Sequence, residues 1–163
     1  MLKKFALIPL LLIITVIFAG CISNKSDNTK SEFIPVDYLP VGFTYMGSHE
    51  TTIDVGGVSL KALEGIYRQN NVNDVYIQVN ETDKPDQILN QYMEQTKQQF
   101  KSATFEDISI NDHNATKITH IPTIKEQRPS YTIIWTTKNA MILVTSSTAD
   151  LQAVIALATA TKH

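Results

Sequence analysis

Apolar and polar residues alternate with a period of two in the middle of the chain. Val75, Ile77 and Val79 are separated by residues that can face solvent, which is the pattern of a strand with one buried face. In the next segment the apolar residues recur at steps of three and four. This spacing predicts a helix over 85–102, capped by Asp83, that packs by one face against a sheet.

Segments rich in β-branched and aromatic residues, each bounded by turn-forming residues, predict further strands on both sides of this helix. Gly56-Gly57 and Lys138-Asn139 are placed to form two hairpin turns. The strands are predicted over 43–49, 51–55, 58–68, 105–110, 115–121, 130–137 and 140–145.

A second helix is predicted after the last of these strands, with Ser147 or Thr148 as its cap. Leu151, Val154 and Leu157 would give it one strongly apolar side, which must be buried against the sheet.

The predicted elements are joined by links of hairpin length rather than by the long crossovers that parallel strands need. We therefore expect an α+β fold, with a single antiparallel sheet of about six to eight strands and two helices. This order of elements resembles the PsbP and Mog1 class of small domains. The hairpin that contains Trp135, followed by a closing helix, resembles the end of domains in bacterial and archaeal lipoproteins. The resemblance covers 39–162 as an order of elements and assigns no functional residue.

The N-terminus has the features of an export signal. Lys3 and Lys4 precede a predominantly apolar stretch over 5–18, which is the arrangement of a signal peptide. The sequence Phe18-Ala19-Gly20-Cys21 resembles the lipobox of prokaryotic lipoproteins, in which a peptidase cleaves before the cysteine and the thiol receives a lipid. Phe18 stands where leucine is usual in that motif.

The lipobox resemblance implies three parts of the chain. Residues 1–20 would be the signal peptide, 21–37 the lipidated cysteine and a flexible tether, and 38–163 the globular α+β domain. The protein would then be exported and anchored to the outer face of the cell membrane through Cys21. An uncleaved anchor is a second possibility, because residues 5–22 form an uncharged run of 18 residues. Cleavage to a free secreted protein is a third.

Charge and cysteine content narrow the possible partners. The formal net charge is −2, and removal of Lys3 and Lys4 with the signal peptide would leave 12 basic against 16 acidic residues. No run of lysine or arginine could neutralise several phosphates, so we expect no nucleic acid partner. Cys21 is the single cysteine, which excludes an internal disulfide and a multi-cysteine zinc site.

No catalytic motif stands out. The four histidines, His49, His113, His120 and His163, lack the spacing of a metal site, and we expect no metal and no cofactor. Gly56-Gly57 lacks the lysine and hydroxyl residue of a phosphate loop, and the nucleophile motifs of hydrolases are missing. The carboxylates near strand ends cannot be paired from their spacing alone, so an acid/base pair stays an open alternative.

Two sets of residues could mark sites on the domain. Aromatic side chains on a sheet can hold a ligand or a partner, although core packing is the more frequent role for such residues. The aromatic candidates are Tyr67, Tyr76, Tyr131 and Trp135. The sequons that begin at Asn24, Asn80 and Asn114 would accept glycans in a host that modifies exported proteins, although such short patterns also arise by chance.

These observations favour a non-enzymatic, membrane-tethered extracytoplasmic domain that binds a protein partner or a ligand through one face of its sheet and the adjacent loops. A small-ligand or lipid carrier with an aromatic pocket is the alternative, and an enzyme with an unrecognised acid/base pair is the third hypothesis. The oligomeric state does not follow from the sequence.

The lipid anchor can be tested at Cys21. We expect Cys21→Ser to release the domain from the membrane fraction or to leave its precursor uncleaved, because no thiol would remain to carry the lipid. Mass spectrometry of the membrane fraction checks both results. An intact N-terminal segment with unmodified Cys21 in the wild-type protein would contradict the prediction.

Overall fold

The computed structural model describes residues 31–121 and 128–161. Within them the chain forms a seven-stranded antiparallel sheet and two helices, and this confirms the predicted α+β fold. The predictions for the signal peptide, Cys21, Asn24 and His163 fall outside these residues.

Three strands precede the first helix, and four strands lie between the two helices. Each strand pairs with its neighbours in antiparallel register, in the spatial order β1-β2-β3-β7-β6-β5-β4. In chain order the elements are β1 Phe43–Val55, β2 Val58–Gln69, β3 Asn73–Glu81, α1 Pro85–Gln99, β4 Thr104–Ile110, β5 His113–His120, β6 Ser130–Thr136, β7 Ala140–Ser146 and α2 Leu151–Ala160.

The two helices pack on opposite faces of the sheet. On one face, α2 covers a buried cluster that includes Ile77, Trp135 and Val144. On the other, α1 covers a second cluster that includes Ile53, Ile134 and Leu143. Successive side chains along β6 and β7 therefore belong alternately to the two clusters. This is why these strands are apolar on both sides.

β1 is a single strand of 13 residues, whereas the sequence predicted two strands over 43–49 and 51–55. Its pairing with β2 shifts register between Tyr45 and Gly47. Gly47 has a φ of +132°, a conformation that glycine adopts without a steric penalty. The register shift does not end the strand, which stays paired with β2 from Phe43 to Val55.

Both predicted helix caps differ from the observed ones. The N-cap of α1 is Lys84, without a side-chain hydrogen bond, and the helix begins with Pro85. The N-cap of α2 is Asp150, whose carboxylate accepts a hydrogen bond from the Ala153 amide at 2.8 Å. Thr148 is instead held in the preceding turn, where its amide donates to the Ser146 hydroxyl at 3.1 Å.

The folded core extends N-terminal to residue 38. Phe33 and Ile34 are 2% and 6% exposed and belong to the cluster beneath α2. A Cβ on Gly65 would lie 2.8 Å from the Ile34 side chain, so the absence of a side chain at this position lets the segment approach β2. The Tyr67 hydroxyl donates a hydrogen bond to the Pro35 carbonyl at 2.9 Å.

Within the two described ranges, neither helix combines the length and apolar character needed to cross a membrane.

The packing of the N-terminal segment can be tested by truncating its largest side chain. Phe33→Ala should lower the free energy of unfolding by about 3–5 kcal/mol, because it opens a cavity in the core. Val36→Ala is the control: Val36 is 44% exposed, and its truncation should cost less than about 0.5 kcal/mol. Urea unfolding measures both values, and equal costs would contradict the observed packing.

Candidate binding surface

Helix α1 leaves part of its own face of the sheet uncovered. A helix is about 10 Å across, whereas seven strands span roughly 29 Å between the outer ones. α1 packs mainly on β6, β7 and β1, where the tip of the β1–β2 hairpin reaches it through a 2.5 Å hydrogen bond from the Gly56 amide to Gln95. The part of β1, β2 and β3 that α1 leaves uncovered on this face is called the open sheet surface. It consists of His49, Glu64, Ile66, Arg68, Asp74, Tyr76 and Gln78.

The centre of the open sheet surface is apolar. Ile66 on β2 and Tyr76 on β3 are direct cross-strand partners, and both are partly exposed. On the other side of Ile66 the partner in β1 is Gly47, which has no side chain to cover it. Neither Ile66 nor Tyr76 belongs to the clusters beneath the two helices. The chain thus exposes an isoleucine and a tyrosine side by side on a sheet.

A row of polar groups in mutual contact borders this centre on one side. The Gln78 amide donates to one Glu64 carboxylate oxygen at 2.6 Å, and His49 Nε2 lies 3.4 Å from the other. The Glu64 side chain is only 14% exposed, so both of its oxygens need such partners. Glu64 therefore contacts His49 through one carboxylate oxygen and Gln78 through the other.

An ion pair borders the centre on the opposite side. The Arg68 guanidinium donates to both carboxylate oxygens of Asp74, at 2.8 and 3.3 Å. The hydrogen bond to Asp74, and then the charge of this carboxylate, raise the pKa of Arg68. Two-point contact of this kind restrains both side chains more than a single contact would.

Asn80 lies on the same face of β3 as Tyr76 and Gln78, and it is buried. Its amide nitrogen donates to the Lys61 carbonyl at 2.7 Å, and among the described residues its oxygen has no hydrogen-bond partner. The nitrogen to which a glycan would be attached is thus engaged inside the domain. Asn114, the other sequon residue in the described part, is exposed on β5.

The four aromatic candidates do not form one pocket. Tyr67 and Trp135 are fully buried in the cluster beneath α2, and Tyr131 packs against the same cluster. Tyr76 lies on the opposite face of the sheet. Of the four, it is therefore Tyr76 that contributes to the open sheet surface.

The histidines are dispersed. His49 lies at the β1 edge, while His113 begins β5 and His120 ends it. In the two described ranges, no three histidine, cysteine or acidic side chains come close enough together to hold a metal ion.

Sequence analysis did not identify the residues that surround Tyr76 on the open sheet surface. Alternation along β2 could have placed Glu64, Ile66 and Arg68 on one face of that strand. Alternation along β3 could likewise have placed Tyr76 and Gln78 on one face of β3. It could not show that these two faces coincide, because that depends on the pairing register. In the structure Glu64 contacts His49 and Gln78.

The fold defines a small α+β domain with helices on both faces of one antiparallel sheet. Its structure is similar to that of a GTP-binding regulator from Thermotoga maritima, with a TM-score of 0.51 and 12% sequence identity. The similarity covers 80% of this chain and 93% of that one, and at this identity it shows the fold alone. No protein-family model and no curated protein matches the sequence.

The burial of Tyr67 predicts a loss of stability in alkali. Burial, and then the neighbouring Tyr45, raise the pKa of Tyr67 well above its usual range. The folded chain then keeps a proton that the unfolded chain releases above pH of about 10, so the free energy of unfolding should fall as pH rises past this value.

Tyr67→Phe should make this alkaline fall less steep, at a cost of about 1 kcal/mol at neutral pH for the lost hydrogen bond to Pro35. Part of the fall should remain, because burial also raises the pKa of Tyr92. Urea unfolding at a series of alkaline pH values measures the slope. An identical slope in the variant would contradict the assignment.

Proposed function

We propose that the protein is a membrane-tethered extracytoplasmic lipoprotein, whose domain binds a partner protein through the open sheet surface. A lipid on Cys21 holds the domain at the outer face of the cell membrane, where its partner is found. The proposal includes a kinship with lipoproteins that carry a PsbP/Mog1-like domain, on the basis of the lipobox at 18–21 and the order of elements.

The observation that carries the proposal is the partly exposed pair of Ile66 and Tyr76. Protein interfaces combine an apolar centre with a polar rim, and tyrosine and arginine are enriched where the binding energy is concentrated. Here the apolar pair lies between the His49–Glu64–Gln78 row and the Arg68–Asp74 ion pair. The surface has the arrangement of an interface on a small scale.

The rigidity of the rim supports binding as well. Side chains that are already held in place lose less conformational entropy when a partner docks on them. Glu64 and Asp74 each have both carboxylate oxygens in contact with a neighbour, which leaves the rim ordered before binding. These contacts favour recognition over proton transfer as the role of the carboxylates.

The structural relative is compatible with this proposal. The Thermotoga protein is a GTP-binding regulator, so the fold occurs in a protein that acts by binding. At 12% identity the nature of its ligand is not carried over to this chain. The partner proposed here is defined by the chemistry of the open sheet surface alone.

Photo-crosslinking in the native membrane tests this function. A photoreactive benzoylphenylalanine at position 76 of the full chain should yield discrete protein adducts, because the side chain lies at the centre of the proposed interface. The matched control is the same probe at Tyr38, which is 91% exposed but lies outside the open sheet surface. Adducts are detected by mass shift and identified by mass spectrometry.

A second substitution distinguishes a specific interface from nonspecific crosslinking. Ile66→Glu, introduced beside the probe, should suppress the adducts of position 76, since it puts a charge into the apolar centre. Adducts of equal yield from positions 38 and 76, or adducts that persist in Ile66→Glu, would refute the proposed interface. A folded probe variant that gives no adduct would refute it too.

A further inference from the structure

A pocket of about 510 Å³ lies at one end of the sheet, next to the open sheet surface. It is formed where β3 and β6 begin and where β5 and β7 end. This volume is in the range of small-ligand sites. Its polar lining comes from Asn73, His120, Arg128, Ser130, Ser147 and Thr148.

The lining of this end pocket is rich in hydrogen-bond donors and has no carboxylate among the described residues. Arg128 supplies a guanidinium, and His120, Asn73, Ser130 and Ser147 add further donors, whereas the Thr148 hydroxyl is engaged by the backbone of Asp74. Two other pockets on the domain differ in this respect. Asp54 and Glu94 line the one between the β1–β2 turn and α1, and Glu50 and Glu81 line the one beside Ser31.

The carboxylate that adjoins the described lining in the sequence, that of Asp74, is already paired. Asp74 follows Asn73 directly, but its carboxylate is engaged by Arg68. The backbone of Asp74 instead supports the pocket wall: its amide donates to the Thr148 hydroxyl at 3.1 Å, and its carbonyl accepts from the Ser146 hydroxyl at 2.6 Å. The positive charge of Arg128 is therefore not offset by this neighbour.

The opposite wall is held by aromatic packing. The rings of Phe100 and His120 meet edge to face, with 4.6 Å between their centroids. The Ser102 hydroxyl donates to the Ile121 carbonyl at 3.2 Å, which ties the end of α1 to the end of β5. His120 is thus oriented by its surroundings before any ligand arrives.

Exposed apolar side chains surround the same end of the domain. Val72 lines the pocket and is 76% exposed, while Phe100 and Ile121 beside His120 are 42% and 54% exposed. A ligand in the pocket would meet cationic and hydroxyl groups inside and apolar groups at the margin. This combination suits an anionic head group attached to a larger organic body.

The geometry points to a site for the phosphate group of a phosphate ester, carried by a lipid head group or by a soluble organic phosphate. Guanidinium groups match phosphate oxygens with paired hydrogen bonds, and a phosphate offers enough acceptors for the hydroxyls and the imidazole as well. The phosphate site does not depend on the proposed protein interface. The lipid as source rests on the proposed membrane tether.

The test is a titration of the full chain, in uncharged detergent micelles, with glycerol phosphate and with glycerol as its uncharged counterpart. Glycerol phosphate should shift the His120 side-chain NMR signals to saturation, and glycerol should not. Arg128→Gln should weaken the binding about tenfold or more, because a charge-assisted contact is lost. Lys138→Gln removes the same charge from the β6–β7 turn at the opposite end of the sheet, and should bind like the wild type.

A second arm distinguishes the two sources. The full chain is placed in nanodiscs that contain phosphatidylglycerol, without soluble ester. A His120 shift that Arg128→Gln reverses identifies the lipid head group, whereas a shift only after addition of glycerol phosphate identifies a soluble ester; both support the phosphate site. The inference is overturned by no saturable shift in either arm, or by binding that both charge variants weaken equally.

Discussion

The pairing of β3 with β7 joins the two halves of the chain into one sheet. β1, β2 and β3 form one set of neighbours, β4 to β7 form another, and the antiparallel contact between Ile77 and Val144 lies at the seam. The register of this contact also decides which side chains share a face. A slip of one residue would turn Gln78 toward α2 and remove Ile77 from the core, so the packing of both helices depends on it. Because the two strands are far apart in sequence, forming this contact costs loop-closure entropy and is slow.

The parts of the fold that sequence reasoning found are the ones with a clear period. Alternation identified β3, and the three-and-four spacing identified α1 to within its last turn. The burial of Phe33 and Ile34 in the core was not predicted, because two adjacent apolar residues have no period that would distinguish them from a tether. Asp150 escaped as a cap because Ser147 and Thr148 are equally good candidates by type. In the turn that follows β7, the backbone amides of Thr148 and Ala149 donate to the Ser146 hydroxyl. This turn places Ser147 and Thr148 before the helix and leaves Asp150 as its N-cap.

The candidate site shows the same limit more strongly. Tyr67 and Tyr76 are both tyrosines on adjacent strands, and composition gives no reason to separate them. Their positions in the β2–β3 register put one under α2 and the other on the open sheet surface. Gly47, the partner of Ile66 in β1, carries no side chain, and a Cβ there would have no neighbour within 4 Å. Arg128, His120 and Thr148 come from three separate segments, and only the assembled sheet brings them to one end.

The anchoring of Phe33 and Ile34 beneath α2 has a mechanical consequence. A pulling force on the chain ahead of Ser31 acts first on these two side chains and on the hydrogen bond between Tyr67 and Pro35, and it reaches the first strand only at Phe43. The force therefore meets side-chain packing before it meets any ladder of backbone hydrogen bonds. The segment thus lies in series with the sheet, and its side-chain packing bears a load on the preceding chain before the seven paired strands do.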